Sequence, residues 1–323
     1  MHELTSLEVC AGAGGQALGL EMAGFGHSAL VEIEPIACAT LNLNRPQWKV
    51  FNQDLRSFDA TPFRGIDLFA GGVPCPPFSI AGRQLGHEDE RDLFPVALDR
   101  IEECRPQAVM LENVPGLSGA RFASYREQLR GRLSDMKFTF VEWMTLNASN
   151  FGVPQLRPRF VLVALKGRAA KRFRWPVAEP NQLTVGDALH DLMGARGWDG
   201  VEQWRAVAAK VAPTLVGGSK LHGGPDLGPT RAKAAWKQLG VDGAGVADLA
   251  PDPSFPLDSY PKLTVRMAAR IQGFPDNWQF EGRKTAAYRQ VGNAFPPPVA
   301  CAVGTSIRDA LLGEGRIVSV DAA

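Results

Sequence analysis

The amino-acid sequence predicts an α/β protein with a doubly wound, mostly parallel sheet and a second, smaller, loop-rich domain. From residue 6 to about residue 165, short β-branched and apolar runs alternate with longer helical patterns, as in βαβ units. A Gly-, Pro- and Trp-rich stretch of poor periodicity follows, and helical patterns then return. We therefore divide the 323 residues into domains 1–165 and 166–262, with 263–323 returning to the first domain.

Six short runs are predicted as strands, and helices are predicted between and after them. The strands are 7–9, 29–31, 66–69, 108–111, 139–141 and 160–163. The helices are 16–23, 36–44, 93–103, 125–133, 265–272 and 299–312. Pro- and Gly-rich breaks fall between these elements, and the residues from 313 are predicted to be a frayed tail.

Composition predicts a soluble cytoplasmic protein without a membrane partner. No apolar run approaches the ~18 residues that a membrane span needs, and the start of the chain lacks the features of a signal peptide. The net charge of +1 neither requires nor excludes a polyanionic partner, so only a local cluster of Lys and Arg could indicate one. The five cysteines are odd in number and none is two residues from another, which argues against disulfides and against a zinc site. We expect no metal.

A glycine-rich turn follows the first predicted strand. Gly12-x-Gly14-x-x-Ala17 would let a ligand approach the backbone and the N-terminus of the next helix. Glu32, at the end of the second strand, suits a hydrogen bond to a ribose diol, and Asp54 could hold an adenine amino group. The alternatives are a plain tight turn, a dinucleotide fingerprint, and acids that are only surface carboxylates.

Cys75 stands in a proline-rich loop, Pro74-Cys75-Pro76-Pro77, directly after a predicted strand. This loop is rigid and lies at the carboxyl edge of the sheet, where α/β enzymes bind ligands. Glu112 ends another parallel strand at the same edge, and Gln155-x-Arg157-x-Arg159 places its side chains on one face of an extended segment. The alternatives are a packing cysteine, a helix-capping acid and solvated arginines.

Together these motifs resemble the DNA cytosine-5 methyltransferase family of the bacterial restriction-modification type. The motifs stand in the family's order: the glycine loop at 7–19, Pro74-Cys75, Glu112-Asn113-Val114, Gln155-x-Arg157-x-Arg159, the stretch 270–275, and Gln290-Val291-Gly292-Asn293-Ala294. The resemblance covers nearly the whole chain except about 166–262. It implies a Rossmann-like methyltransferase sheet, a target-recognition domain at 166–262, and transfer of a methyl group from S-adenosyl-L-methionine to C5 of cytosine, leaving S-adenosyl-L-homocysteine.

The chemistry explains why the family needs these residue types. Cytosine C5 is a poor nucleophile until a thiolate, here Cys75, adds at C6. By resemblance, Glu112 would hydrogen-bond or protonate N3, best with a pKa raised by burial. Arg159 and Arg157 would orient O2 of the base or Glu112. The base must first leave the duplex, so base flipping is expected.

The resemblance also implies a cofactor site. Two residues depart from the family's pattern: Cys10 stands where Phe is common, which predicts less ring contact with the cofactor, and Pro76 stands where Gln is commonest. The expected cofactor-binding residues are Cys10, Ala11, Gly12, Gly14, Gly15, Glu32, Ile33, Asp54, Leu55, Pro74, Leu93, Asn293 and Ala294.

Duplex DNA is the expected partner. The loop 80–91 resembles the family's mobile loop, the basic cluster 166–174 is expected to line the DNA cleft, and 215–224 resembles a recognition loop. A basic linker without a partner is the alternative for the cluster. The expected DNA-binding residues are Ser79, Arg83, Gln84, Arg91, Gln155, Lys220, His222, Arg231 and Lys233. We expect a monomer in action, associated with the nucleoid while on DNA, and a cognate restriction endonuclease encoded nearby.

Three other functions share part of this pattern. A transfer-RNA cytosine-5 methyltransferase would use the same thiol chemistry and differ mainly in the smaller domain. A nicotinamide-dependent oxidoreductase would use the glycine loop but give Cys75 and Glu112 no joint role. A non-catalytic DNA-binding regulator would not need Cys75, Glu112 and Arg159.

Overall fold

A computed structural model of the protein describes residues 3–74, 92–178, 182–218 and 226–313. Within these ranges one seven-stranded sheet has the order β3-β2-β1-β4-β5-β7-β6. Its strands are β1 (Leu4–Val9), β2 (Phe25–Glu32), β3 (Val50–Asn52), β4 (Leu68–Gly71), β5 (Ala108–Asn113), β6 (Phe140–Asn147) and β7 (Pro158–Leu165). All six predicted strands are present. The prediction did not include β3, because three residues at the sheet edge are too few to show a period.

Helices connect and flank the strands. They are α1 (Gly15–Met22), α2 (Pro35–Asn44), α3 (Phe94–Cys104), α4 (Ala123–Asp135), α5 (Gly167–Arg172), α6 (Val185–Met193), α7 (Val201–Val207), α8 (Thr230–Lys237), α9 (Val265–Ile271), α10 (Lys284–Asn293) and α11 (Pro297–Leu312). The described residues of the region 166–262 therefore hold four short helices, α5 to α8, with longer segments between them. Their shortness explains the poor periodicity of its sequence, since about two turns show little of a helical period.

The sheet is mixed at one end. Strands β3, β2, β1, β4 and β5 are parallel, whereas β7 runs antiparallel to both β5 and β6. The short connection 148–157 makes this reversal possible, because an antiparallel pair needs no crossover helix. As a result β7 starts at the carboxyl edge of the parallel strands and ends at their amino edge.

This reversal corrects the expected place of the basic cluster 166–174. The cluster follows the end of β7, where Leu165 is paired with Ala108, the first residue of β5. Glu112 lies at the other end of β5. Lys166 to Arg174 therefore begin at the edge of the sheet opposite Glu112. Leu165 is six positions after Arg159 along β7, which corresponds to about 20 Å.

Helices cover both faces of the sheet. Leu20 of α1 and Ile307 of α11 belong to the apolar cluster on one face, and Leu98 of α3 and Leu133 of α4 belong to the cluster on the other. Helices α1 and α11 approach closely, because a Cβ on Gly19 would lie 2.4 Å from the carbonyl oxygen of Pro297. The C-terminal segment thus forms part of the same layered fold as the first strands.

A third apolar cluster joins distant parts of the chain. The side chains of Leu189, Trp204 and Trp236 from the region 166–262 are buried in it. It continues without interruption into the C-terminal segment and into α1, α2 and the turn after α2, through Ile271, Trp278, Tyr288, Leu18, Leu41 and Trp48. The smaller region is therefore packed on the sheet half through a shared core. No helix in the described part of the chain is long and apolar enough to span a membrane.

Candidate active site

A cavity of about 530 Å³ opens at the carboxyl edge of the parallel strands. The ends of β1, β2 and β5, the turns after them and helix α10 form its walls. Residues expected to bind the cofactor line it, with Gly14 as the exception: Cys10, Ala11, Gly12, Gly15, Glu32, Ile33, Asp54, Leu55, Pro74, Leu93, Asn293 and Ala294. Its size lies in the range of small-molecule sites.

The glycine turn fixes one acid of the cavity. Gly12 has a φ of +54°, a left-handed conformation that glycine adopts without strain. Its N–H donates to Oε2 of Glu32 at 2.7 Å, and the N–H of Glu34 donates to Oε1 at 2.8 Å. Burial raises the pKa of Glu32. Both carboxylate oxygens are thus oriented before any ligand binds.

Of two residues in this turn that were expected to bind the cofactor, Cys10 lines the cavity and Gly14 does not. Cys10, in the place of the usual Phe, has a left-handed φ of +51° and lines the cavity, and burial raises the pKa of its thiol. Gly14 caps the N-terminus of α1 with a φ of +85°. A Cβ there would lie 2.6 Å from Leu41 and 2.9 Å from Trp278, so Gly14 faces the core and not the cavity.

The prediction missed two buried polar side chains in the cavity wall, Glu8 of β1 and Gln16 of α1. None of their four side-chain oxygen and nitrogen atoms has a hydrogen-bond partner within the described residues. Burial, with a smaller contribution from Glu32, raises the pKa of Glu8 well above its usual value. A charged residue inside the apolar run of the first strand was the signal, since such a residue needs a partner.

Glu112 and Arg159 come together as the sequence predicted. Arg159 Nε lies 2.7 Å from Glu112 Oε1, and the two side chains are only 11% and 14% exposed. They meet because Glu112 is paired with Val161 across the β5–β7 ladder, which makes Arg159 its diagonal neighbour on the same face. Glu112 lines the cavity, and a Cβ on Gly72 would lie 3.3 Å from its Oε2. We call these two residues the acid–arginine pair.

Hydrogen bonds hold the chain on both sides of the proline-rich loop. Asn113 Nδ2 donates to the carbonyl oxygen of Val73 at 2.8 Å, and the N–H of Leu93 donates to the carbonyl oxygen of Pro74 at 3.2 Å. Pro74 and Leu93 both line the cavity. The predicted site residues of this loop and of the segment after it lie outside the described residues: Cys75, Ser79, Arg83, Gln84 and Arg91.

Arg157 differs from the expectation that it orients the base or Glu112. The residue is 1% exposed, and its guanidinium donates to three backbone carbonyl oxygens, those of Leu215 at 2.7 Å, Gly292 at 2.7 Å and Ala294 at 3.0 Å. Burial and the charge of Arg159 lower its pKa. It does not line the cavity and holds the chain segments behind it.

Gln155 was expected to contact DNA, and this expectation is corrected because its side chain is fully buried. Its Nε2 donates to Gln272 Oε1 at 2.8 Å, and its Oε1 accepts from the N–H of Leu215 at 2.7 Å. Gln272 in turn donates to the carbonyl oxygen of Ala294. We call Gln155, Arg157 and Gln272 the buried junction. It connects the residues just before β7 with Leu215, with the end of α9 and with the end of α10.

The end of α10 packs tightly against the segment 215–218. A Cβ on Gly292 would lie 2.5 Å from the Cα of Gly217, and Asn293 Nδ2 donates to the carbonyl oxygen of Gly218 at 3.4 Å. Gly218 lines the cavity beside Asn293. The start of the expected recognition loop is therefore part of the cavity wall.

The remaining predicted DNA contacts are divided. Arg231 is exposed on α8, whereas Lys233 Nζ forms an ion pair with Asp226 at 2.7 Å. Lys220 and His222 lie outside the described residues. In the parts of the chain that are described, no three His, Cys, Asp or Glu side chains are grouped to hold a metal ion.

Comparison with known proteins identifies the family. The model of the C-5 cytosine-specific DNA methylase family matches residues 4–218 and 229–309. The chain is 56% identical to the type II methyltransferase M.NaeI of Lentzea aerocolonigenes, over 99% of this chain and 79% of that protein. It is 50% identical to the type II methyltransferase M.NgoMIV of Neisseria gonorrhoeae, over 97% of this chain and 99% of that protein.

Solved structures share the fold. A crystal structure of a prophage-encoded DNA modification methyltransferase from Escherichia coli superposes with a TM-score of 0.67, at 22% identity over 96% of this chain and 99% of that one. The sheet of this protein and the match to the family model indicate the same fold. The chain belongs to the C-5 cytosine-specific DNA methylase family, and it is a DNA (cytosine-5)-methyltransferase.

Proposed function

We propose that the protein transfers a methyl group from S-adenosyl-L-methionine to C5 of a cytosine flipped out of a specific duplex sequence, through a covalent bond between Cys75 and C6. The observation that carries this proposal is the acid–arginine pair at the wall of the cavity, beside Gly72 and Pro74. Cys75 is the next residue in the chain. We therefore propose that the thiol of Cys75 and the acid–arginine pair act on the same base.

The cavity suits the adenosine part of the cofactor. Glu32 presents an oriented carboxylate for the ribose hydroxyls, and Asp54, held by Arg56 at 3.0 Å, stands farther along the wall for the adenine amino group. Asn293 and Ala294 also line the cavity. Bound there, the cofactor supplies an electrophilic methyl group and departs as S-adenosyl-L-homocysteine.

Glu8 and Gln16 suit the amino-acid part of the cofactor. Both are buried in the cavity wall with side-chain atoms that lack partners in the described structure. An ammonium group would give the Glu8 carboxylate a counter-charge, and the Gln16 amide could serve a carboxylate or an ammonium group. Binding would therefore remove the cost of leaving these groups unpaired.

The acid–arginine pair suits the chemistry of the base. The thiolate of Cys75 forms a bond to C6 as Glu112 hydrogen-bonds or protonates N3, so electron density moves to C5. Arg159 stabilises the negative charge that develops on the base and keeps Glu112 in place. After methylation, loss of the C5 proton and elimination restore the thiol and the aromatic ring.

The target cytosine must flip out of the DNA helix, because a stacked base does not expose C6. The residues 80–91, 215–224 and Arg231 remain our candidates for the DNA contacts. Relatives bearing the type II methyltransferase name lead us to propose that this methylation protects DNA from a cognate restriction endonuclease encoded nearby. The enzyme is proposed to act as a monomer.

The proposal is tested first by bisulfite sequencing of DNA from cells that express the chain, which reveals the target. A duplex carrying 5-fluorocytosine at that target should then form a covalent adduct with the purified enzyme in the presence of the cofactor, because fluorine cannot leave as a proton does. Cys75→Ala should abolish the adduct and the methylation, and Cys301→Ala is the matched control. An adduct on Cys75→Ala, or transfer to transfer RNA and not to duplex DNA, would overturn the proposal.

The assignment of Glu8 and Gln16 has its own test. S-adenosyl-L-homocysteine carries the amino-acid part, and 5′-methylthioadenosine lacks it. Glu8→Gln and Gln16→Leu should weaken binding of the first ligand about tenfold or more, as expected for a lost charge-assisted hydrogen bond. Binding of the second ligand should change little. Equal losses for both ligands would show that these residues only support the cavity.

A further inference from the structure

The basic cluster after β7 lies at the amino edge of the sheet, where it has no part in the proposed site. Lys166 follows the end of β7, and Arg168 and Lys171 follow it on α5, one turn apart and both exposed. The acid–arginine pair lies at the other end of β7, about 20 Å away. A duplex is about as wide as this distance, so DNA seated over the cavity would not reach the cluster without wrapping around the protein.

Two further cations from other parts of the chain meet this cluster. The N–H of Lys166 donates to the carbonyl oxygen of Gln107 at 3.1 Å, and the N–H of Thr139 donates to that of Leu165 at 3.0 Å. The turns before β5 and β6 are thereby brought beside Lys166. These turns carry Arg105 and Lys137, both exposed and both in the left-handed conformation. We call Arg105, Lys137, Lys166, Arg168 and Lys171 the basic edge.

The charges of the basic edge are not neutralised within the described residues. Arg105, Lys137, Arg168 and Lys171 form no ion pair there, and Lys166 Nζ lies 4.4 Å from the centre of the Phe138 ring. Nearby Glu102 and Glu103 face other cations, Arg132 and Arg100. The other acids close to these turns are Asp135, two residues before Lys137, and Asp67, whose carbonyl oxygen accepts from the N–H of Ala108, so the five cations outnumber them. Burial and the charge of Arg105 lower the pKa of Lys166, as expected where cations crowd.

The composition of this surface favours a polyanion over a protein. Protein interfaces depend on buried aromatic and aliphatic anchors. Large apolar side chains of this chain are exposed elsewhere, as at Leu249, Leu257 and Tyr260, and none is exposed in the turns of the basic edge. Unpaired lysines and arginines without an apolar anchor suit the phosphate backbone of nucleic acid.

We propose that the basic edge is a second DNA-binding surface, which holds the phosphates of another duplex segment while the cavity edge engages the target. One molecule could then bridge two segments of the same DNA and pass between them. This inference adds to the proposed function and does not depend on the covalent mechanism. The contacts would be independent of base sequence, because no side chain of the edge is placed in a groove-reading element.

The test is a bridging assay. A short biotinylated duplex on beads captures the enzyme, and recovery of a second, fluorescent duplex is measured at increasing salt. Arg168→Gln/Lys171→Gln removes two unpaired charges, and Arg196→Gln/Arg205→Gln is the matched control that removes two ion-paired charges away from this edge. We expect the first variant to lose most of the bridging. The slope of log K against log salt should fall by about 1.8, from the ~0.9 per phosphate contact. The control should bridge like the wild type.

Three results would overturn the proposal: no second duplex recovered by the wild type, equal recovery by the two variants, or a mass by light scattering that shows bridging only by dimers. Methyl transfer to a short target duplex is measured in parallel. It should be unchanged in Arg168→Gln/Lys171→Gln, and its absence from every form of the protein would count against the proposed function and not against the bridging surface.

Discussion

The acid–arginine pair and the buried junction lie close together at the start of β7, yet their polar groups have different surroundings. Arg159 bonds one oxygen of Glu112, whose carboxylate also faces the cavity, whereas Arg157 is bonded to the backbone carbonyls of Leu215, Gly292 and Ala294. A group with unused bonding capacity at a cavity can act on a ligand. A group that donates to backbone carbonyls and does not border the cavity holds the structure instead. Whether an arginine acts on a ligand or supports the fold therefore depends on whether its partner is a side chain that borders the cavity.

The largest effect is expected when the open pair is altered. Glu112→Gln keeps the shape of the side chain but removes its charge, so it should slow methyl transfer about 10³-fold, equivalent to about 4 kcal/mol in activation free energy. Single-turnover kinetics with the target duplex measure the rate, and calorimetry should show cofactor binding changed by less than about threefold. A rate close to that of the wild type would remove Glu112 from the mechanism.

The junction should show the opposite behaviour. Arg157→Met leaves three buried carbonyl oxygens without this donor, which should lower the free energy of unfolding by about 3 kcal/mol. Arg159→Met is the matched variant, with a smaller loss of stability and a larger loss of rate, because Glu112 borders the open cavity. Urea unfolding and single-turnover kinetics of both variants give the comparison. Similar changes in both quantities would contradict the division of roles.

Glu8 offers a third case, a buried acid that forms no ion pair with any described residue. Its pKa is raised on folding, so between the usual value of 4.5 and the raised value the folded state holds more protons than the unfolded state, and stability falls as pH rises. Glu8→Gln should remove this loss. The stability advantage of the variant should grow by up to about 1.4 kcal/mol per pH unit in that window and vanish below it.

Urea unfolding of the ligand-free protein at a series of pH values measures this difference, with Glu127→Gln on α4 as the control for the loss of one exposed acid. An advantage for Glu8→Gln that is the same at acid and neutral pH would show that Glu8 is not buried as described.

The smallest effect is expected on α8, where an open and a paired cation again stand close together. Arg231→Ala should lower the salt slope of DNA binding by about 0.9, as for one lost phosphate contact. Lys233→Ala should change it less, because Lys233 already pairs with Asp226. Fluorescence anisotropy with the target duplex tests both, and a larger effect of Lys233→Ala would reverse the assignment.

Much of the fold could be predicted because its signals are local. Period and breaks in the sequence indicated β1, β2, β4 to β7 and the helices around them, and the acids at strand ends indicated one shared edge. The contact between Glu112 and Arg159 was expected from the family resemblance, and the two residues meet. Glu8 carried a local signal as well, as a charge inside an apolar strand.

Other features depend on distant parts of the chain. The direction of β7 depends on pairing with β5 and β6. Because β7 is antiparallel to β5, the basic cluster lies at the edge of the sheet opposite the one that was expected. The spacing of Gln155 and Arg157 from Arg159 gave no sign of burial, because their partners are residues 58 to 137 positions away. Gly14 could not be distinguished from its neighbours until Leu41 and Trp278 were seen to pack on it.

The sequence by itself determined the chemistry available to this protein: a thiol, an acid and an arginine in motifs at strand ends, and a glycine turn for a cofactor. Residue type and local period are enough for that, because they depend on covalent neighbours. Only the tertiary structure decided which polar side chains line the cavity and which are hydrogen-bonded in the core. It also decided at which edge of the sheet the unpaired cations lie. Those outcomes depend on strand direction and burial, which arise when segments far apart in the chain pack together.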